Sequence, residues 1–205
     1  MFPKGKECFP LKRLILVSSP PACGKTYISM KLAENLKHVV YLDKDTLITM
    51  SKVIYKVAGE PYDRSSEFFK KNIRDVEYDC VLELAFEALR YDDIVLINAP
   101  FTKEIRNSEW INNLRKKLVQ MNTKLTIIWV QTDVEVCHRR MILRNSDRDT
   151  WKLENWDEYI KTVDYSIPKA LDDPDVVDDL LIFENSSDEQ YDKSMKYILN
   201  IIENS

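Results

Sequence analysis

The chain has 205 residues, a length that suits one domain with at most a small appendage. Apolar residues make up 44%, too many for a disordered chain, and the net charge of −4 argues against an extended nucleic-acid footprint. No apolar run approaches the roughly 20 residues of a membrane span, the first residues carry no apolar signal segment, and four scattered cysteines show neither metal-finger spacing nor a disulfide framework, so reduced thiols in a cytoplasmic protein are expected.

In chain order, Leu14 to Val17 is a short buried-strand run ending at small residues and prolines. Thr26 to Leu36 has helical spacing, with Ile28, Leu32 and Leu36 on one face. Val39 to Leu42 is a second strand, closed by Asp43-Lys44-Asp45. Thr46 to Val57 is helical and stops near Gly59. Glu67 to Arg90 is predicted as the longest helix, capped by Ser65 or Ser66, with an apolar stripe of Phe69, Ile73, Val76, Cys80 and Leu84. Ile94 to Ile97 is a strand entering Asn98-Ala99-Pro100. A helix over Trp110 to Gln120 precedes a strand over Leu125 to Val130. Glu135 to Arg144 is a basic helix, Leu180 to Phe183 a fifth strand, and Gln190 to Ile202 a closing helix. The acidic stretch Asp172 to Asp179 reads as a solvated turn.

Strands alternating with helices imply an α/β chain with a parallel five-stranded sheet covered on both faces. Ligands of such sheets bind beyond the carboxyl ends of the strands, where every polar cluster above falls. The first of these is S-P-P-A-C-G-K-T, residues 19 to 26, directly after the first strand and opening a helix. Backbone N–H groups in such a loop curl around phosphate oxygens, the lysine reaches the outer phosphates and the hydroxyl holds Mg²⁺. Ser19 stands where the usual pattern has its first glycine. Ser19, Pro21, Ala22, Cys23, Gly24, Lys25 and Thr26 are therefore the expected nucleotide-binding residues.

Four segments together resemble the small P-loop kinases of the gluconate kinase, chloramphenicol phosphotransferase and zeta-toxin type, which overlap the AAA-type ATPases. They are SPPACGKT, VVYLDKDTL, VLINAPFTKE and RRMILRNSDRD, and the likeness spans roughly residues 12 to 190. It implies the P-loop NTPase three-layer α/β/α fold as a single domain over residues 1–205, with a helical lid at about 136–165. It implies ATP and Mg²⁺ as ligands and a small hydroxylated molecule as acceptor. Asp45 is the expected general base, since an attacking alcohol needs a carboxylate within reach. Asp43 shares its face in an extended chain and is assigned with Thr26 to the metal, although it also suits the base itself. Both aspartates equally suit capping of the helix near Thr46.

The lid role in these kinases carries to Arg140 and Arg144, four apart on one helical face, and to Arg148. Asn98 departs from the pattern, because many P-loop proteins carry an acid there. Asn185 is placed near adenine, and Arg74, Tyr78, Phe101 and Lys103 beside the acceptor. A nucleoside, nucleotide or polynucleotide 5′-kinase is one alternative; a nucleotide-binding regulator without turnover is another, favoured by Ser19 and Asn98.

Overall fold

The computed structural model describes residues 11–146, 149–172 and 177–204. Five strands form one sheet, all parallel, in the order β2-β3-β1-β4-β5. They are β1 (Lys12–Ser18), β2 (Val39–Asp43), β3 (Ile94–Asn98), β4 (Thr123–Gln131) and β5 (Asp179–Glu184). The helices are α1 (Lys25–Asn35), α2 (Ile48–Ala58), α3 (Glu67–Asn72), α4 (Arg74–Ala88), α5 (Ser108–Gln120), α6 (Val134–Arg144), α7 (Thr150–Glu154), α8 (Trp156–Thr162) and α9 (Asp188–Glu203), with a 3-10 turn over Lys44–Leu47 between β2 and α2. No described helix is long and apolar enough to cross a membrane.

The central strand explains the layering. Side chains alternate along a strand, so β1 sends Leu14 and Leu16 to one face and Ile15 and Val17 to the other. All four are fully buried. The first face packs under α4 and α5, with Val81, Ala85, Ile111 and Leu114. The second packs under α1 and α9, with Ile28, Leu32, Ile198 and Ile202. A strand buried on both faces needs the continuous apolar run that residues 14–17 provide.

Register places the strand ends together. Val17 pairs with Asn98, Asn98 with Asp43, and Ser18 with Trp129. The polar residues that follow β1, β2 and β3 thus converge on one edge of the sheet.

The long helix expected over 67–90 is two helices. Ile73, at φ −124° and ψ −45°, separates α3 from α4. The break shifts the helical phase. Phe69 and Ile73 are buried as the stripe predicts, but Val76, Cys80 and Leu84 are exposed. The buried side of α4 is instead Tyr78, Val81, Leu82, Ala85 and Phe86, together with Glu77. Ser66 is the cap of α3, its hydroxyl accepting from Phe69 N at 3.1 Å.

The acidic stretch also differs from the solvated turn expected. Residues 173 to 176 lie outside the described residues. Asp178 accepts from Leu125 N at 2.8 Å and Arg115 Nη2 at 2.6 Å. Asp179 pairs with Arg13, which is buried, and with Lys124 at 2.9 Å. Here the carboxylates pin β5 to its neighbours. Burial alone would raise Asp179, but hydrogen bonds from Lys124 and Arg13 hold it below the ordinary carboxylate range.

Candidate active site

The loop after β1 is built from backbone conformations that few residues adopt. Ala22 (φ 64°) and Gly24 (φ 92°) are both left-handed. For alanine that conformation costs roughly 1–2 kcal/mol, strain of the kind stored where backbone must point N–H groups at a ligand. Gly24 is required for a second reason. A Cβ there would lie 2.5 Å from Asn185 Nδ2. Ser19 is not among the residues with positive φ. A side chain is therefore tolerated where the usual pattern has glycine; its buried hydroxyl donates to Pro20 O at 2.8 Å.

Gly24 is the N-cap of α1, with no side chain capping it and no acid in the first turn. The cap residue therefore offers no side-chain oxygen to the first turn, and the positive end of the helix faces the loop. Ser19, Pro20, Pro21, Ala22, Cys23, Gly24, Lys25 and Thr26 all border one cavity of about 650 Å³. Its other walls are Asp43 and Asp45 after β2, Pro100 after β3, and Arg140, Arg144 and Lys152 from the segment after β4.

The carbonyl of Cys23 is the loop's anchor. It accepts from Asn185 Nδ2 at 2.7 Å, Thr132 Oγ1 at 3.0 Å and Arg140 Nη1 at 3.3 Å. Arg140 Nη2 also donates to Asn185 O at 2.8 Å. Asn185, expected near adenine, spends its buried amide as a brace for the loop. Arg140 borders the cavity while fastening α6 to the same loop.

Asn98 ties three elements together. Its Oδ1 accepts from Lys25 Nζ, and its Nδ2 donates to Asp43 at 2.8 Å, Tyr41 OH at 3.2 Å and Thr26 Oγ1 at 3.4 Å. Asp43 also accepts Asp45 N at 2.9 Å, so it caps the 3-10 turn as well as bordering the cavity. Among the described residues no three His, Cys, Asp or Glu side chains gather into a metal cluster. Thr26 Oγ1 and the Asp43 carboxylate, both bonded to one amide, are nonetheless two oxygen donors, one charged, beside the phosphate loop. That donor set fits Mg²⁺, which binds through one or two protein oxygens plus phosphates and retained water.

Asp45 turns outward and is half exposed. Lys44 Nζ lies 3.3 Å from its Oδ1. Lys44 itself is buried, 3.0 Å from Glu77 Oε2. Glu77 takes three further donors: Ser51 Oγ at 2.6 Å and both terminal nitrogens of Arg64 at 2.7 Å. Burial would push Glu77 up, but the hydrogen bonds from Arg64, Ser51 and Lys44 overcome it and bring the carboxyl to about 2. This network was missed at the sequence level. A glutamate one residue before a buried tyrosine carries no local mark of interior placement.

Between α6 and α7, Asp149 is fully buried beneath Arg144 and Lys152. Arg144 Nε donates to it at 2.9 Å and Lys152 Nζ at 3.0 Å. Burial opposes its ionisation, and the bonds from Lys152 and Arg144 reverse that and keep it low. One buried carboxylate thereby holds two cations on the cavity wall. Lys152 was not singled out in the sequence, and Arg148 lies outside the described residues. His138 stacks on Trp156 at 3.9 Å between centroids.

The expected acceptor residues sit apart from the phosphate loop. Phe101 is fully buried against Tyr78 and Trp110, which makes it a packing residue. Tyr78 is buried and donates to Pro100 O at 3.0 Å. Arg74 is held by Glu104 at 2.7 Å and lies over the Tyr78 ring. Lys103 and Tyr78 border a separate cavity of about 380 Å³, which shares no lining residue with the first.

A family model described as an AAA domain matches residues 14–165. No curated protein matches the sequence. Three solved structures share the fold. A kinase candidate from Chloroflexus aurantiacus J-10-fl has 20% identity over 94% of each chain, with a TM-score of 0.63. A component of the PezAT toxin-antitoxin system of Streptococcus pneumoniae has 14% identity over 93% of this chain and 87% of that one, with a TM-score of 0.58. A gluconokinase from Sinorhizobium meliloti 1021 has 14% identity over 96% and 95%, with a TM-score of 0.52. The fold is the three-layer P-loop kinase fold.

Proposed function

The chain belongs to the AAA domain family, and from that premise we propose that it transfers the terminal phosphate of ATP to a hydroxyl of a small molecule. One observation carries the reading. A single cavity joins the Gly-Lys-Thr loop to a carboxylate on the next strand end and to Arg140, Arg144 and Lys152. A protein that only held nucleotide has no need of a part-exposed carboxylate on the wall of that cavity.

The residues divide the work by chemistry. Loop amides between Ala22 and Thr26 bind phosphate oxygens. Lys25 exchanges its bond to Asn98 for the outer phosphates. Asp45 accepts the proton of the attacking hydroxyl, which stays within reach only if the acceptor sits between it and the loop. Lys44, fixed by Glu77, holds that carboxylate in place. Thr26 and Asp43 would hold Mg²⁺, which supplies charge neutralisation of the phosphates. Arg144 and Lys152, positioned by Asp149, add positive charge on the opposite wall. Phosphoryl transfer needs mainly such positioning and neutralisation.

The test is ADP release from ATP with a panel of sugar acids, sugars, amino alcohols and nucleosides. Acceptor-dependent release supports transfer. Asn98, neutral and already fully bonded, favours the second reading, a nucleotide-binding regulator. That reading predicts ATP binding with almost no release on any acceptor.

A further inference from the structure

The loop contains a group that the transfer does not use. Cys23 Sγ lies 3.5 Å from Cys137 Sγ, and both thiols are buried. They join the two parts whose alignment matters most. Cys23 sits between the two left-handed residues of the loop. Cys137 is on α6, three residues before Arg140, which holds the Cys23 carbonyl.

The two sulfurs are also polarised against each other. The hydrogen bond between them holds Cys137 below the ordinary thiol range, with help from Arg140 and against the effect of burial. The same bond, reinforced by burial, pushes Cys23 well above it. The 3.5 Å approach sets the more acidic thiol, the readier nucleophile once deprotonated, beside a second thiol within reach of it. Cys23 borders the 650 Å³ cavity, which gives a small oxidant a route to the pair.

We propose that Cys23 and Cys137 form a peroxide-sensitive modification site, whose disulfide draws the phosphate loop onto α6 and weakens nucleotide binding. The Cys137 thiolate attacks one oxygen of hydrogen peroxide. The O–O bond breaks, Cys137 becomes a sulfenic acid, and the departing hydroxide takes up the proton that the thiol had shed. Cys23 then gives up its own proton and attacks that sulfur. The S–O bond breaks, and the hydroxyl takes up that proton and leaves as water. Two thiols and one peroxide become one disulfide and two waters. A disulfide needs sulfurs at about 2.0 Å, so the pair must close by about 1.5 Å. With Ala22 and Gly24 already in restricted conformations, the loop amides move with Cys23. A shift of about 1 Å in a positioned site can cost on the order of a hundredfold.

The nucleotide-binding half of this inference rests on the function proposed above; the chemistry of the pair does not. The test uses the full chain with Cys8→Ser and Cys80→Ser, so that only the pair can react. The protein is treated with hydrogen peroxide, then digested without reductant and mapped by mass spectrometry. A fluorescent ATP analogue reports affinity before oxidation, after it, and after dithiothreitol. A linked Cys23–Cys137 peptide is expected, with at least about tenfold weaker binding that dithiothreitol restores. Adding Cys137→Ser, or Cys137→Ala as a second replacement, should leave binding intact and abolish the response. Absence of the linked peptide overturns the proposal, and so does a linked protein that binds as tightly as the reduced one. If the peptide forms but the reduced protein binds no nucleotide, the modification site stands and the kinase reading falls.

Discussion

The Glu77 network makes a quantitative prediction. Glu77 is 4% exposed and neutralises two cations, buried Lys44 and part-buried Arg64. Its folded value of about 2 lies below the ordinary 4.5. At about 1.4 kcal/mol per pH unit, that difference is worth about 3 kcal/mol of stability. The sign follows from the direction. A carboxyl lowered in the folded state contributes fully above 4.5, and its contribution fades as the pH falls from 4.5 toward 2. Glu77→Gln keeps the shape but removes the charge and half of the acceptor sites, leaving Lys44 and Arg64 uncompensated. It should therefore lose about 3 kcal/mol at pH 7. At the roughly 2–4 °C per kcal/mol of chains this size, that is a fall of about 6–12 °C in melting temperature. Urea unfolding of both proteins at pH 7, 5.5 and 4 is the assay. The gap should hold from 7 to 5.5 and narrow by 4. Equal stability at pH 7, or a gap that does not change with acid, would refute the argument that this carboxylate stays ionised because its partners outweigh its burial.

Three more expectations concern the cavity. Lys25→Ala should abolish nucleotide binding or turnover; unchanged ATP affinity and activity by calorimetry and ADP release would remove the loop assignment. Asp45→Asn should bind ATP normally and lose at least about a hundredfold in rate, the low end of general-base contributions; full activity would move the base to Asp43. Gly24→Ala should weaken ATP binding by displacing Asn185, because the new methyl would meet Nδ2 at 2.5 Å in a left-handed backbone. A variant with wild-type affinity and an unchanged melting temperature would show that the loop has more slack than its geometry implies.

Strand positions were legible because their signal is local. Residues 14–17 and 94–97 are apolar runs bounded by small or polar residues, and a run buried on both faces needs nothing else to announce it. The loop was legible for the same reason, since Gly24, Lys25 and Thr26 are adjacent and their chemistry follows from strand-then-helix context. The α4 stripe was misread because periodicity assumes one uninterrupted helix. The break at Ile73 rotates everything after it, and Val76, Cys80 and Leu84 turn to solvent.

The sequence alone determined the alternating α/β plan, the phosphate loop and the carboxylates at the end of β2, because each is written within a few consecutive residues. Tertiary structure alone decided what those groups touch. Glu77 meets Lys44 across 33 residues, Asn98 meets Asp43 across 55, and Asn185 meets Cys23 across 162. Such partners are chosen by strand order and register, and no short-range pattern encodes them. The buried acids illustrate the difference most plainly: nothing in the neighbouring residues marks Glu77 or Asp149, and only folding brings two cations to each.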